Sequence, residues 1–540
     1  MKKLVSLLLA LMLLAGCAMA EVNTEGYEPI WIGDEPVVIS VAAGSDQWTE
    51  NSIPSEMYFF KYAEKFLNIK FDVEHYSGDR LNMLYASDEL PDLLLGRGGS
   101  TSQTIMYGAT THQYLDMTPY LTEELTPNIL KFFEMYPDSR AACTCIDGNI
   151  YTLPFLQLRY EDDLSASANF SWVRTFINTT WLEEMDLDYP ETLDDLLEVL
   201  RAFKTRGEDM VPFVALTSIR YMLQINFAGS EGFYSKGQPW KPGVTADGEV
   251  MYGVEHESYL QYLEFLHTCY EEGLVSKDVC TMSNAEVQAL VAEGKAGVEI
   301  DWAPYNSLAD TWNEWDFCGP LVYEEGQQKA IVRNNPYSIG GVAVSSKCEH
   351  PEVVMRVLDL LFTPEGQMRY FFGPASTEEE YLLGYKGWTV DENGILHLKE
   401  SLDGDFGSDY EFQISMMGGD ETIGCQIGVY NKIREKLGLE PVSFEWDLSD
   451  PDVFYRYTMA NHTYDYLVNG YPAYVYMTAE DSQELSEIES AIADVIKAEE
   501  AKFITGARPL DEYDQFIEEL KAMGLDRATE LAAAAYENYK

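Results

Sequence analysis

The side chains able to do chemistry in this chain fall into small groups, several of which follow an apolar, strand-like run. Asp46, Gln47 and Trp48 come after Val37 to Ala42, Arg97 stands in a glycine-rich turn after Leu93 to Leu95, and Asp301, Trp302 and Tyr305 come after Gly297 to Ile300. Loops held on a rigid scaffold of strands and helices are where binding residues concentrate. Flat aromatic faces beside carboxylates, an amide and a guanidinium suit non-covalent recognition, with stacking on one surface of a ligand and hydrogen bonding along its edge. Trp172, Trp240 and Tyr337 are further candidates of this kind, whereas Trp181 stands where a helix start needs an apolar contact. Catalytic constellations do not accompany them. The chain holds no Gly-x-Ser-x-Gly, no Walker loop, no His-Glu-x-x-His and no Cys-His zinc spacing, so no catalytic residue, resident metal or cofactor is expected.

Cys17 is a different matter, because its context points to covalent modification. Lys2 and Lys3 precede an apolar run from Leu4 to Ala15 that closes on Leu14-Ala15-Gly16-Cys17. The run is shorter than the roughly 20 residues of a membrane-spanning helix, so residues 1–16 read as a cleaved export signal. Its end resembles a lipobox, cut before a cysteine that then receives a diacylglyceryl group, which would hold the mature chain at the outer face of the cell membrane. Ala18-Met19-Ala20 before Glu21 also satisfies the small-x-small cleavage rule and would release a secreted protein.

Charge narrows the partners. With 36 basic and 91 acidic residues the formal charge is −55, which disfavours nucleic acid. The acids are spread through the chain and 46% of residues are hydrophobic, a globular composition with solvated acidic faces. At 540 residues the chain exceeds what one core organises, and two or more domains are expected. Seven cysteines besides Cys17, an odd number, preclude a full disulfide framework and read as small buried thiols.

The elements that must position these residues alternate. A strand at Val37 to Ala42, a helix at Ser55 to Leu67, a strand at Ile69 to Tyr76, a helix at Asp79 to Ser87 and a strand at Asp92 to Leu95 give the β-α-β order of an open, mostly parallel α/β sheet. A second such unit begins after Asp147-Gly148. Its clearest element is a helix capped by Thr192, with Asp195 completing a capping box and Leu193, Leu196, Leu197, Leu200 and Phe203 on one face. Pro351 opens another helix, Thr478 caps a long C-terminal one that Gly506 stops, and a further helix ends at Met523-Gly524.

Several stretches, in order, resemble the extracellular solute-binding proteins of bacterial ABC importers, in the branch linked to oligosaccharide uptake. They are LNMLYASDELPDLLL at Leu81 to Leu95, YLDMTPYL at Tyr114 to Leu121, DGNIYTLP at Asp147 to Pro154, INTTWLEEMDL at Ile177 to Leu187, EEGLV at Glu271 to Val275 and GKAGV at Gly294 to Val298. The ending at Phe503 to Gly506 and Leu510 to Leu525 is similar too.

The resemblance implies an α/β fold of the periplasmic-binding-protein type II, with two lobes of mainly parallel sheets flanked by helices and a ligand cleft closed by hinge motion. It divides the chain into a lipidated tether at 17–36, lobe 1 at 37–154 plus about 316–372, lobe 2 at 155–315 plus about 373–477, and C-terminal helices at 478–540 packing on the lobes. Crossings would fall after Pro154, after Ile300 and near Phe372 to Pro374. It also implies the function of a non-catalytic, monomeric receptor that hands an oligosaccharide to a membrane permease. On that reading Asp46, Gln47, Trp48, Arg97, Trp172, Trp240, Asp301, Trp302, Tyr305 and Tyr337 face a sugar, whose apolar C–H side stacks on rings. Peptide recognition on the same fold is the alternative, and a secreted glycoside hydrolase a more distant one, since 91 acids make a chance carboxylate pair certain. Many relatives carry a calcium loop after the Thr192 helix, but Thr205 to Pro212 lacks its alternating oxygens, and Asp403 to Glu411 leads to Ile414 where an EF-hand needs Glu.

Overall fold

The computed structural model describes residues 21–43, 58–76, 78–96, 99–156, 174–216, 220–301, 311–333, 337–375, 387–390, 396–398, 424–425, 454, 458 and 461–539. The chain divides into two compact units, Met1–Glu161 with Tyr337–Val442, and Asp162–Pro336 with Ser443–Lys540.

The first unit opens with β1 (Val37–Ala43), β2 (Ile69–His75), α1 (Gly78–Ser87), β3 (Leu93–Leu95), α2 (Pro127–Met135) and β4 (Thr152–Leu156). The second unit then supplies β5 (Arg174–Asn178), α3 (Leu193–Lys204), β6 (Phe213–Ala215), α4 (Glu257–Glu271), β7 (Val298–Asp301) and β8 (Trp315–Phe317). The chain returns to the first unit with β9 (Tyr337–Val344), α5 (Pro351–Leu360) and β10 (Gly424–Cys425). It ends in the second with α6 (Ala479–Thr505), α7 (Tyr513–Ala522) and α8 (Leu525–Tyr539).

In the first unit the strand order is β10-β4-β9-β3-β1-β2, and in the second β8-β5-β7-β6. Parallel pairing joins β1 to β2 and β3, and β7 to β6, as alternating strands and helices demand. The strands β5, β8 and β9 instead run antiparallel to their neighbours, so both sheets are mixed.

Local signals act where they stand. Thr192 accepts from the Asp195 amide at 3.0 Å while the Asp195 carboxylate accepts from the Thr192 amide at 2.9 Å, and α3 buries Leu193, Leu196, Val199, Leu200 and Phe203. Thr478 caps α6 through the Asp481 amide at 3.1 Å, and Gly506 at φ 73° ends it.

The unit boundaries differ from those expected. Residues 316–336 belong to the second unit, because β8 pairs with β5 from Trp315↔Asn178 to Phe317↔Phe176. Residues 373–442 belong to the first, where Gly424 and Cys425 pair with Phe155 and Leu156. The C-terminal helices are part of the second unit: the Glu500 carboxylate of α6 meets Arg220 at 2.7 Å and accepts from the Tyr259 hydroxyl of α4 at 2.9 Å. These pairings join residues far apart in the chain, which no local pattern encodes.

The expected tether is also mostly folded. Glu21 and Val22 pair with Ile32 and Trp31, Ile30 is fully buried, and Arg356 of α5 donates to the carbonyls of Asn23, Thr24 and Gly26 at 3.1, 3.1 and 3.3 Å. Residues 17–20, with Cys17, lie outside the described residues.

Candidate functional site

In the first unit, Ala43 and Leu95 are register partners at the carboxyl ends of β1 and β3. Because β9 runs antiparallel to β3 with Val342 opposite Leu95, its Tyr337 end extends past that same edge, and Tyr337 pairs with Leu156 at the end of β4. Gly96 and Gly99, the described residues on either side of the segment with Arg97, both lie against β9. The Gly96 amide donates to the Gly341 carbonyl at 2.6 Å, and Gly340, at φ 78°, lies so close to the Gly99 carbonyl that a Cβ would sit 2.0 Å from its oxygen. Only glycine meets both demands. Ser100 and Gln103 then form a capping box that starts the next helical turn. Asp46, Gln47, Trp48 and Arg97 lie outside the described residues, as does the Tyr337 side chain.

The second unit repeats the arrangement with a different sheet. Arg174, the first residue of β5, is the register partner of Asp301, the last of β7. The chain therefore enters β5 just after Trp172 and leaves β7 just before Trp302 at one end of the sheet, although Trp172, Trp302 and Tyr305 themselves lie outside the described residues. Asp301 is fully buried, and so is Glu299 two residues before it. Alternation along a strand puts these two carboxyls on one face and sends Val298 and Ile300 to the other. Glu299 stands in register between Phe176 and Val214. Burial first, and the neighbouring Asp301 second, hold the Glu299 carboxyl well above the usual carboxylate range.

Trp240, a candidate ligand contact from its residue type, is found packed in a core. It is 8% exposed within the core of the second unit, edge-on to Tyr221 at 4.9 Å, with the Lys497 ammonium 4.6 Å from its ring centre. Its ring serves packing, the commoner use of a tryptophan in a core this large.

Other features escape sequence reading because they are assembled from distant segments. A cavity of about 220 Å³ is lined by Tyr189, Glu191, Pro320, Lys329 and His462 among others. Lys329 is paired with Glu191 at 2.7 Å, the His462 ring is hydrogen-bonded to Asp316 at 3.0 Å, and Tyr189 stacks on His462 at 5.4 Å. The Lys236 amine is pushed down to about 8 by burial alone. Glu299 had one visible sign, an acid inside the apolar run Gly297 to Ile300. Among the described residues no group of three or more His, Cys, Asp or Glu is placed to hold a metal ion, and six cysteines carry free thiols.

Residues 158–368 match the family described as bacterial extracellular solute-binding protein. The fructooligosaccharide ABC transporter substrate-binding protein FusA of Streptococcus pneumoniae is 24% identical over 509 residues, 90% of this chain and 88% of its own. Lipoprotein LipO of Bacillus subtilis is 27% identical over 315 residues, 56% of each chain. Among solved structures, FusA in complex with kestose aligns with a TM-score of 0.69 at 21% identity, covering 93% of this chain and 99% of that one. An HMO-binding, ABC-transporter-associated solute-binding protein from Bifidobacterium longum infantis aligns with a TM-score of 0.71 at 18% identity, covering 94% and 99%. The fold is that of the type II solute-binding proteins, with α/β sheets flanked by helices.

Proposed function

We propose that this chain, a bacterial extracellular solute-binding protein, is a non-catalytic receptor that captures an oligosaccharide outside the cell and delivers it to an ABC permease. The observation that carries this reading is the likeness to FusA along 90% of the chain. The strand topology supports it. In each unit the segments bearing the candidate aromatic and polar residues leave the sheet at one end, beyond Ala43 and Leu95 in the first and at Arg174 and Asp301 in the second. Open α/β sheets usually bind ligands outside the carboxyl ends of their strands.

On this reading Asp46, Gln47, Arg97 and Asp301 hydrogen-bond sugar hydroxyls, while Trp48, Trp172, Trp302, Tyr305 and Tyr337 offer stacking surfaces. The receptor is monomeric, binds no nucleic acid and is held outside the cell by a lipid on Cys17, or is secreted if cleaved after Ala20. Mass spectrometry of the mature N-terminus separates the last two.

Thermal unfolding against fructooligosaccharides, other oligosaccharides and peptides tests the ligand class, since a bound ligand raises the midpoint by mass action. A rise with at least one oligosaccharide and none with peptides is the expected result. A rise with peptides alone, or release of reducing sugar from the panel, would overturn it. Replacing Trp302 by Ala should abolish binding in calorimetry.

A further inference from the structure

We propose that Glu299 is a positioning residue for ligand recognition: as an uncharged carboxylic acid inside the second unit, it donates its proton to the Asp301 carboxylate and fixes that group at the end of β7. The inference rests on the reading of Asp301 as a ligand-binding residue.

The argument is one of place and partners. Both residues are fully buried, and their spacing puts their carboxyls side by side on one face of β7. Neither Glu299 oxygen receives a hydrogen bond from a described residue. Among the described residues, the elements packed most closely on β7 are β5, β6 and the helical turn Arg220–Gln224. Their titratable groups are Arg174, Arg220 and Tyr221. Arg174 is the register partner of Asp301, Arg220 is committed to Glu500 at 2.7 Å, and Glu299 itself is flanked by Phe176 and Val214. A carboxylate in that setting would be a buried charge without compensation, which is strongly destabilising. Two adjacent buried carboxyls relieve this by ionising one and protonating the other. The charge belongs on Asp301, the last residue of the strand; the proton belongs on Glu299, which stands between Phe176 and Val214. Burial and the Asp301 charge both act in that direction.

Thermal unfolding of the ligand-free mature protein between pH 5 and 9 tests the proton. A carboxyl whose pKa is raised by folding stabilises below its unfolded value, near 4.3, and that contribution is lost as pH climbs through the folded value. The midpoint of Glu299→Gln should therefore exceed that of the wild type by a margin that widens with pH. Parallel curves would overturn the proposal. Positioning is read without ligand from the carbon-13 carboxyl resonance of Asp301, which should move in Glu299→Ala and stay near its place in Glu299→Gln; indifference to both would also overturn it. Kestose calorimetry on Asp301→Asn decides the underlying reading separately. Unchanged affinity there removes Asp301 from the site however Glu299 titrates.

Discussion

The guanidinium of Arg356 lies 4.1 Å from the ring centre of Tyr27, and the hydroxyl of that same ring donates to Asp359 at 2.5 Å. One turn of α5 thus grips the N-terminal segment by a face and by an edge. Asp359 also accepts from the amides of Asn128 and Ile129 at 2.8 and 2.9 Å, capping α2, while Arg356 holds the carbonyl of Leu125 at 3.0 Å. A polar knot of this kind, 3% and 0% exposed at Arg356 and Asp359, is worth most when complete.

Arg356→Ala should cost about 3–5 kcal/mol of first-unit stability, because it leaves the buried Asp359 without its cation. Limited proteolysis should then cut within residues 21–32 ahead of any other site. Denaturant unfolding followed by N-terminal sequencing of the fragments checks both.

The Arg220 and Glu500 pair predicts a different signature. Burial alone would lower the Arg220 pKa, but Glu500 overrides it and the net direction is up; burial leaves Glu500 raised despite Arg220. Removing either partner alone should destabilise by about 3–5 kcal/mol, whereas Arg220→Met with Glu500→Leu should recover most of the loss. A double-mutant cycle by chemical denaturation measures the coupling.

Lys236 gives a pH dependence of the opposite sense to Glu299. Its folded pKa, about 8, lies below the ordinary lysine value, so the wild type carries the full penalty of a buried charge below pH 8 and sheds it as pH rises toward the unfolded value. Lys236→Met should be more stable at pH 7 by up to about 3 kcal/mol, and the advantage should shrink between pH 8 and 10.5. Thermal melts across that range test it.

Trp240→Phe should lower the unfolding midpoint through lost packing while leaving oligosaccharide affinity within about twofold. A large fall in affinity by calorimetry would return Trp240 to the site.

Gly340→Ala should weaken ligand binding at least as much as it weakens the fold. The added methyl collides with the Gly99 carbonyl, and an L side chain at φ 78° is strained besides, so the chain at Gly99 must move away from β9. Calorimetry beside a melting curve separates the two effects.

How much was legible follows from how local each signal is. The capping box at Thr192, the Thr478 cap, the Gly506 stop and the strands at Val37 and Leu93 are written within a few residues of where they act, and they stand in the structure as the sequence announces them. The packing of Trp240 in the core is not legible in the sequence, because an aromatic ring has the same composition whether it lines a site or a core. Residues 21–36 were misread because polar, turn-rich sequence looks like a tether until Arg356 and Ile30 are seen holding it.

By itself the sequence determined the kinds of element, their caps and the residue types available for recognition, since these depend on near neighbours and side-chain chemistry. Only the tertiary structure decided which unit owns β8 and β10, that Tyr337 reaches the same sheet edge as Ala43 and Leu95, and that Glu299 and Asp301 are both enclosed. Strand pairing and burial are contacts between distant residues, fixed by the closing of a whole core rather than by any local pattern.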